Sequence, residues 1–397
     1  MLLKPSFTSM RIEVTSKCNF ECKYCFASDS MNTRKDQDLS FNQLEQILKK
    51  ARQSKIRKVL FSGGEPLVRN DFIDILRISE GLETSFVTNG YLLTNDRIQE
   101  IAKLNNVNRI RLSIDGYDAH DSMRMGNSSS ILIKRLKAIK EIAPRISVVP
   151  HSLATPSSIS EIPSLLSELE LIGVDRWRLF LIRLGGKVSQ GNLDINANYY
   201  ISYIDLLCQI ATLVKNKSLN MQIETDGGYQ SDLDITLERF SVREFTNYTH
   251  PCEYLIHVLI IRSNGDISIC PFFDFSCCKI QDHTSINDLE LTPSLIAWRN
   301  LRIEKMLICN ICRYRRICKG GCRKSAVELL GSFFAEDPIY CFMLPIIEKK
   351  LWPLLSSKSQ NHYHSLLDYN GLFPKWSAND LNILLNNYFE KQKKITS

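Results

Sequence analysis

The chain has 397 residues, of which 44% are hydrophobic and 23% charged, a length that suits one large domain with one or two smaller ones and a composition typical of soluble globular proteins. It has no run of about eighteen apolar residues and no charged-apolar-small order at its start, which excludes a membrane span and a secretory signal and makes the cytoplasm the expected compartment. Thirteen cysteines in such a chain point to metal ligation and not to disulfides, and the net charge of +7 is spread without a dominant basic block, which argues against a nucleic-acid partner.

In chain order, a strand is expected from Arg11 to Thr15, followed by a loop that carries Cys18, Cys22 and Cys25. Such a loop can wrap one face of a metal cluster. A four-iron cluster takes four terminal ligands, and the next cysteine is Cys208, so one iron is left for a ligand that is not protein. A zinc knuckle completed by a distant ligand is the alternative. Ser40 is placed to cap a helix running to about Arg52, with Leu44, Ile47 and Leu48 on one face. Lys58 to Phe61 reads as a short buried strand ending in Gly63-Gly64-Glu65-Pro66, where two glycines let backbone approach a ligand and the proline fixes the turn.

A helix from Asn70 to Ser79, a strand near Thr84 to Thr88, a turn at Asn89-Gly90 and a helix from Asn95 to Leu104 extend the pattern. The strand Arg109 to Ile114 closes with Asp115-Gly116. Then come a helix near Ser130 to Ile142, a strand near Ile146 to Pro150, a helix near Ile159 to Leu171 and a strand from Arg176 to Ile182. Strands separated regularly by helices imply parallel pairing with right-handed crossovers, and the spacing suits an open barrel and a doubly wound sheet alike. In either, ligands gather at the C-terminal ends of the strands.

Gly185 to Asn198, rich in Gly, Asn and Asp, marks a boundary, and a helix from Tyr199 to Lys217 links the halves. The second half carries Cys252, Gly265, Cys270, Cys309-x2-Cys312-x5-Cys318-x3-Cys322 and Cys341. A zinc site made of Cys309, Cys312, Cys318 and Cys322 is the alternative to a cluster, although the separation between its two pairs is short for zinc. Tyr314-Arg315-Arg316 reads as a solvated loop. Beyond Cys341, Leu351, Leu354, Leu366, Leu381, Leu384 and Leu385 belong to helices expected to form a cap, or alternatively a partner-docking surface.

The first cysteine motif, with Tyr24 directly before Cys25, resembles the radical S-adenosylmethionine (SAM) superfamily, and the spacing from Cys252 to Cys341 resembles its SPASM extension. The resemblance implies an α/β fold: a partial (β/α)6 TIM-like barrel over 1–190, a bridging helical segment over 191–248, a small cysteine-rich α+β SPASM domain over 249–345, and a C-terminal helical extension over 346–397. It implies SAM and three 4Fe-4S clusters as cofactors. Cys18, Cys22 and Cys25 would hold the cluster whose open iron is chelated by SAM, and an electron from it would release a 5'-deoxyadenosyl radical. Cys252, Cys270 and Cys322 would serve the first auxiliary cluster, and Cys309, Cys312, Cys318 and Cys341 the second, with Asn264-Gly265 as the hairpin turn that brings Cys252 and Cys270 together. The fourth ligand of the first auxiliary cluster stays open: Cys277 or Cys278 supplies it, substrate does, or Cys277 and Cys278 are ordinary thiols like Cys208.

By the same resemblance, the Gly63, Gly64, Glu65 and Pro66 backbone receives the SAM amino group and Tyr24 packs near the adenine. Asn89 faces the ribose or methionine. The stretch with Ser113, Asp115 and Arg124 binds the carboxylate, which a guanidinium can meet with two parallel hydrogen bonds. His120 and His151 read as structural.

The activity implied is that of an oxidoreductase or maturase that abstracts hydrogen from a peptide or protein to form a crosslink, thioether or oxidised residue. The alternative is an oxidoreductase or decarboxylase acting on a small molecule such as a sugar or tetrapyrrole precursor. A reducing partner such as flavodoxin or ferredoxin is implied in both. Many peptide-modifying members carry a leader-recognition domain ahead of the barrel; seventeen residues precede Cys18 here, so a separate protein or the C-terminal helices are expected to read any leader. Members of the sulfatase-maturing branch resemble one another in an Asp at the position where this chain has Pro271. Asp226 and Asp274 are candidate bases that the sequence does not rank.

Overall fold

Strand β1 (Ser9–Thr15) buries Met10, Ile12 and Val14, and it is flanked on both sides by parallel neighbours, an environment that selects apolar residues. The remaining strands are β2 (Lys58–Gly63), β3 (Glu83–Thr88), β4 (Val107–Ser113), β5 (Ser147–Ala154), β6 (Arg176–Leu181), β7 (Gln222–Thr225), β8 (Val258–Ile261), β9 (Asp266–Ser268) and β10 (Cys278–Lys279). The computed structural model describes residues 7–34, 36–124, 128–216, 219–225, 250–252 and 256–396. Asp226 lies outside the described residues, as does the later part of the expected bridging segment.

The chain packs as two compact units that do not follow the stretches expected from the sequence. One comprises Met1–His151 with Tyr254–Asn300, the other Ser152–Glu253 with Leu301–Ser397. In the first unit the strand order is β10-β9-β8-β1-β2-β3-β4-β5, with β8 through β5 all parallel and β8-β9-β10 a meander at the edge. The Asn264-Gly265 hairpin therefore joins the barrel sheet beside β1 instead of a separate module. Its turn needs Gly265, whose φ is +87° and whose absent Cβ leaves room for the Gln281 side chain.

The helices α1 (Ser28–Thr33), α2 (Phe41–Arg52), α3 (Phe72–Ile78), α4 (Asn95–Ala102), α5 (Asp118–Arg124) and α6 (Ser129–Ile142) connect these strands. Ser40 caps α2 through a reciprocal box with Gln43, and Leu44, Ile47, Leu48 and Ala51 are buried. Helix α3 is held on the sheet by Phe72, which meets the edges of Phe61 (6.1 Å between centroids) and Phe86 (5.4 Å). The register Thr15↔Gly63 and Thr88↔Leu112 sets the ends of β1, β2, β3 and β4 side by side. Everything that follows those ends shares one edge of the sheet.

In the second unit β6 pairs in parallel with β7, a strand the sequence reading did not anticipate. Helices α7 (Ile162–Ile172) and α8 (Ala197–Lys215) flank them in the chain. Tyr199 of α8 donates its hydroxyl to Ala154 O (2.6 Å) and accepts Ile182 N–H (3.2 Å). The helix Pro338–Lys350 packs on α8, and the last helix, Ala378–Thr396, buries Leu381 and Leu385 and links Tyr388 to Ser189 at 2.5 Å. Tyr314 is not on a solvated loop: it is fully buried, its hydroxyl on Glu348, while Arg313 pairs with Glu348 (2.7 Å) and Arg315 with Asp368 (2.9 Å). No helix among the described residues is long and apolar enough to cross a membrane.

Candidate active site

The cysteine loop leaves β1 under tight control. Thr15 Oγ1 donates to Asp38 Oδ2 (2.5 Å) and Ser16 N–H to Asp38 Oδ1 (2.8 Å). Within the loop, Cys25 N–H donates to Cys22 O (3.1 Å), and Lys23 N–H to Met123 O (2.8 Å). The Cys18 thiol lies within electrostatic reach of Cys22 and Cys25. Phe20 N–H points at Cys18 Sγ, 3.4 Å away. Such an N–H···S bond stabilises a thiolate and tunes a cluster that the thiolate holds.

The turn after β2 is built against this loop. Gly64 N–H donates to Thr15 O and Glu65 N–H to Lys17 O, both at 2.9 Å. A Cβ on Gly63 would stand 2.3 Å from Thr15 O, and one on Gly64 2.2 Å from Lys17 O. These glycines thus permit a close approach to the backbone that leads into the cysteine loop.

Glu65 is 1% exposed, and its carboxylate is fully engaged by protein: it accepts Leu67 N–H (3.1 Å), Thr88 Oγ1–H (2.7 Å) and Asn89 N–H (2.6 Å). Burial raises its pKa to about 7 against these hydrogen bonds. The Asn89 amide donates in turn to Asn19 Oδ1 in the cysteine loop (2.8 Å). Pro66 opens a single 3-10 turn.

Beyond β4, Asp115 is buried beneath three partners. Tyr24 donates its hydroxyl to Asp115 Oδ2, and Arg124 donates Nε–H to Oδ2 (2.8 Å) and Nη2–H to Oδ1 (3.3 Å). The guanidinium also lies over the Tyr24 ring, 5.2 Å from its centroid. Burial opposes the Asp115 charge, yet Arg124, His120 and Tyr24 together hold its pKa below the usual carboxylate range. Arg124 therefore already has a carboxylate partner, which its expected role did not foresee; a buried anion requires one. Its Nη1 makes no hydrogen bond among the described residues. Ser113 ends β4 opposite His151, and His120 bridges Asp115 N–H (3.1 Å) and Ser128 Oγ (3.0 Å), contacts that hold its ring inside the protein.

A second group of thiols lies in the other unit. Burial raises the Cys309, Cys318 and Cys341 thiols, and neighbouring thiols of the set Cys309, Cys312 and Cys318 raise them further. Burial pushes the Cys309 thiol up to about 12, while the buried Arg323 guanidinium pulls it down. Tyr314 N–H points at Cys312 Sγ at 3.4 Å, repeating the geometry at Cys18. Lys319, Gly320 and Gly321 all have positive φ, a reversal that returns the chain from Cys318 to Cys322 within three residues. Asp337, which the sequence reading missed, accepts Cys322 N–H (2.8 Å) and caps the helix that carries Cys341. The Asp337-Pro338 pair was its only sequence signal.

Cys270, buried in the first unit, receives Phe272 N–H on Sγ at 3.4 Å, a third instance of the same bond. Cys252 donates its N–H to Nδ1 of the buried His250 (2.9 Å), also unanticipated. Cys277 N–H donates to Ile267 O, and Cys278 Sγ lies 3.9 Å from Thr292 Oγ1. Among the described residues no three His, Cys, Asp or Glu side chains are gathered tightly enough for one ion. The sulfur donor chemistry and the three N–H···S bonds fit iron–sulfur ligation.

The family model of the Radical SAM superfamily matches residues 12–158, the span that includes the cysteine loop and every site residue through Arg124. An AdoMet-dependent heme synthase of Oleidesulfovibrio alaskensis is 23% identical over 82% of this chain and 85% of its own. A probable GTP 3',8-cyclase of Methanopyrus kandleri is 32% identical over 41% of this chain and 52% of its own. Among solved structures, anSMEcpe with bound AdoMet and the Kp18Cys peptide superposes with a TM-score of 0.68 at 17% identity, covering 90% of this chain and 99% of that one. Streptococcus suis SuiB bound to precursor peptide SuiA gives 0.64 at 19%, covering 84% and 75%. The fold is the partial barrel with C-terminal helices that the sequence implied, and residues 12–158 match the Radical SAM superfamily.

Proposed function

We propose that this enzyme cleaves SAM reductively at a cluster held by Cys18, Cys22 and Cys25 and removes hydrogen from a peptide or protein substrate to modify it. When bound, SAM and the cluster supply a radical able to take hydrogen from an unactivated C–H bond, chemistry beyond any side-chain acid or base. The chain's part is to hold and shield. The backbone of Gly63 to Pro66 takes the SAM amino group, Ser113 and Arg124 Nη1 take the carboxylate, Tyr24 lies by the adenine and Asn89 by the ribose or methionine. Cys252, Cys270 and Cys322 serve one auxiliary cluster, and Cys309, Cys312, Cys318 and Cys341 another.

The observation that carries this reading is the convergence of the cysteine loop, the Gly63–Pro66 turn, Asn89 and the Asp115–Arg124 pair at the adjacent C-terminal ends of β1, β2, β3 and β4. A peptide substrate is supported by the fold shared with two peptide-bound enzymes. A small-molecule substrate, a tetrapyrrole precursor in particular, is favoured by the heme synthase likeness along most of the chain. Pro271 after Cys270 speaks against the sulfatase-maturing branch.

The two substrate classes separate in a label-transfer experiment. Reconstituted enzyme is given SAM, dithionite and either perdeuterated peptides encoded beside its gene or a deuterated tetrapyrrole. Deuterium appearing in 5'-deoxyadenosine from peptide supports the first reading. Label only from the tetrapyrrole replaces it with the second.

A further inference from the structure

Arg262 is one of the largest fully buried side chains, 2% exposed, and the cysteine pattern gives it no role. It follows β8 directly and opens the hairpin turn. Its Nη1 donates to Glu13 Oε1 on β1 at 2.5 Å, so the buried cation is neutralised. Its Nη2 lies within hydrogen-bond reach of Cys270 O (3.0 Å), Pro271 O (3.1 Å) and Phe273 O (2.6 Å), and of Ser268 Oγ (3.3 Å). Three carbonyls of one four-residue turn thus face a single guanidinium.

That turn is the segment that sets Cys270. Phe273 N–H closes it onto Cys270 O (3.3 Å), and Pro271 stands at its second position, where its fixed φ is suited. Phe272 N–H points at Cys270 Sγ (3.4 Å), and Ser268 Oγ donates to Cys270 O (2.8 Å). The Phe272 ring packs on Phe26, the residue after Cys25, with centroids 4.6 Å apart. Two links therefore tie the Cys270 turn to the segment carrying the first cysteines: Phe272 to Phe26, and Arg262 to Glu13, which lies shortly before Cys18 in the chain.

We propose that Arg262 is a positioning residue for Cys270: anchored on Glu13, it gathers the turn's carbonyls and so fixes the sulfur that serves the first auxiliary cluster. Without Arg262, Pro271 O loses the donor that reaches it and Cys270 O and Phe273 O each lose one of theirs; because under-satisfied buried carbonyls carry a desolvation penalty, the turn re-forms to reach other donors or water, and Sγ moves with it. The inference rests on the auxiliary-cluster reading above.

The test compares wild type, Arg262→Gln, Arg262→Lys, Ser268→Ala and Cys270→Ala, each reconstituted anaerobically. Iron content, the EPR spectrum of the reduced clusters and SAM cleavage are measured. Wild type is expected to hold about twelve irons, and Arg262→Gln about eight, with the EPR signature of Cys270→Ala and SAM cleavage retained. Arg262→Lys keeps the charge and is expected to recover part of the lost iron. Ser268→Ala, a change small enough to leave the fold intact, is expected to shift the auxiliary EPR spectrum. Full iron with an unchanged auxiliary spectrum in both Arg262→Gln and Ser268→Ala would overturn the role of Arg262. Wild type holding only about four irons would instead remove the auxiliary-cluster reading, and this inference with it.

Discussion

At the scale of single residues, the site is governed by buried charges that satisfy one another. Asp115 is the centre of one such group, and Asp115→Asn leaves the Arg124 guanidinium buried without its anion. Removal of one partner from a buried pair typically costs about 3–5 kcal/mol, and the loss is expected as a lowered urea midpoint with an unchanged slope. His120 and Glu65 titrate in opposite senses. Burial, aided by Arg124, holds His120 near 4 against an ordinary 6.5, so the unfolded chain binds a proton that the native one refuses, and stability present above 6.5 is lost as pH falls toward 4. Glu65, raised from 4.5 to about 7, is stabilising below 4.5, and that contribution is lost as pH rises through 7. The two slopes oppose each other between these limits, so wild type alone is uninformative. The difference is not: relative to wild type, His120→Asn should gain up to about 3 kcal/mol between pH 7.5 and pH 4. Urea unfolding of both proteins across that range checks it, and a pH-independent difference contradicts it.

At the scale of elements, the loops matter more than the strands that present them. Gly64→Ala places a methyl group 2.2 Å from Lys17 O, so the turn must lift off the cysteine loop. The variant is expected to bind SAM at least tenfold more weakly, about 1.4 kcal/mol or more, as read by calorimetry on the reconstituted enzyme. Unchanged affinity would mean that the turn and the cysteine loop move independently. Ser40→Ala removes the α2 cap and is expected to cost about 1 kcal/mol of stability without altering SAM binding. Both features were legible in the sequence because each is written locally: Ser40 and Gln43 lie within one turn, and two glycines precede a proline. Strand β7 was not, because four residues buried almost throughout carry no alternation. Nor was the meander's place beside β1, since β8 pairs with a strand some 249 positions earlier, the separation between Arg262 and Glu13.

At the scale of the whole molecule, the class of enzyme is written in the cysteine positions, because their spacing encodes how short loops surround a cluster. The polar groups around the cysteines were not legible. Asp337, Glu13 and Arg262 are ordinary residues in sequence, and only folding brings Asp337 to Cys322 and sets Arg262, anchored on Glu13, against the Cys270 carbonyl; His250, two residues before Cys252, carried no signal of its own. Substrate choice is likewise unwritten in the cysteines, which explains why enzymes of shared fold or sequence bear names that speak of a precursor peptide, heme or GTP. The most direct test of a three-cluster radical enzyme is iron, acid-labile sulfide and zinc content on anaerobically reconstituted protein, with 5'-deoxyadenosine measured after adding SAM and dithionite. About twelve irons per chain with deoxyadenosine formed is the expected result. About four irons with bound zinc, or no iron and no cleavage after competent reconstitution, would contradict it.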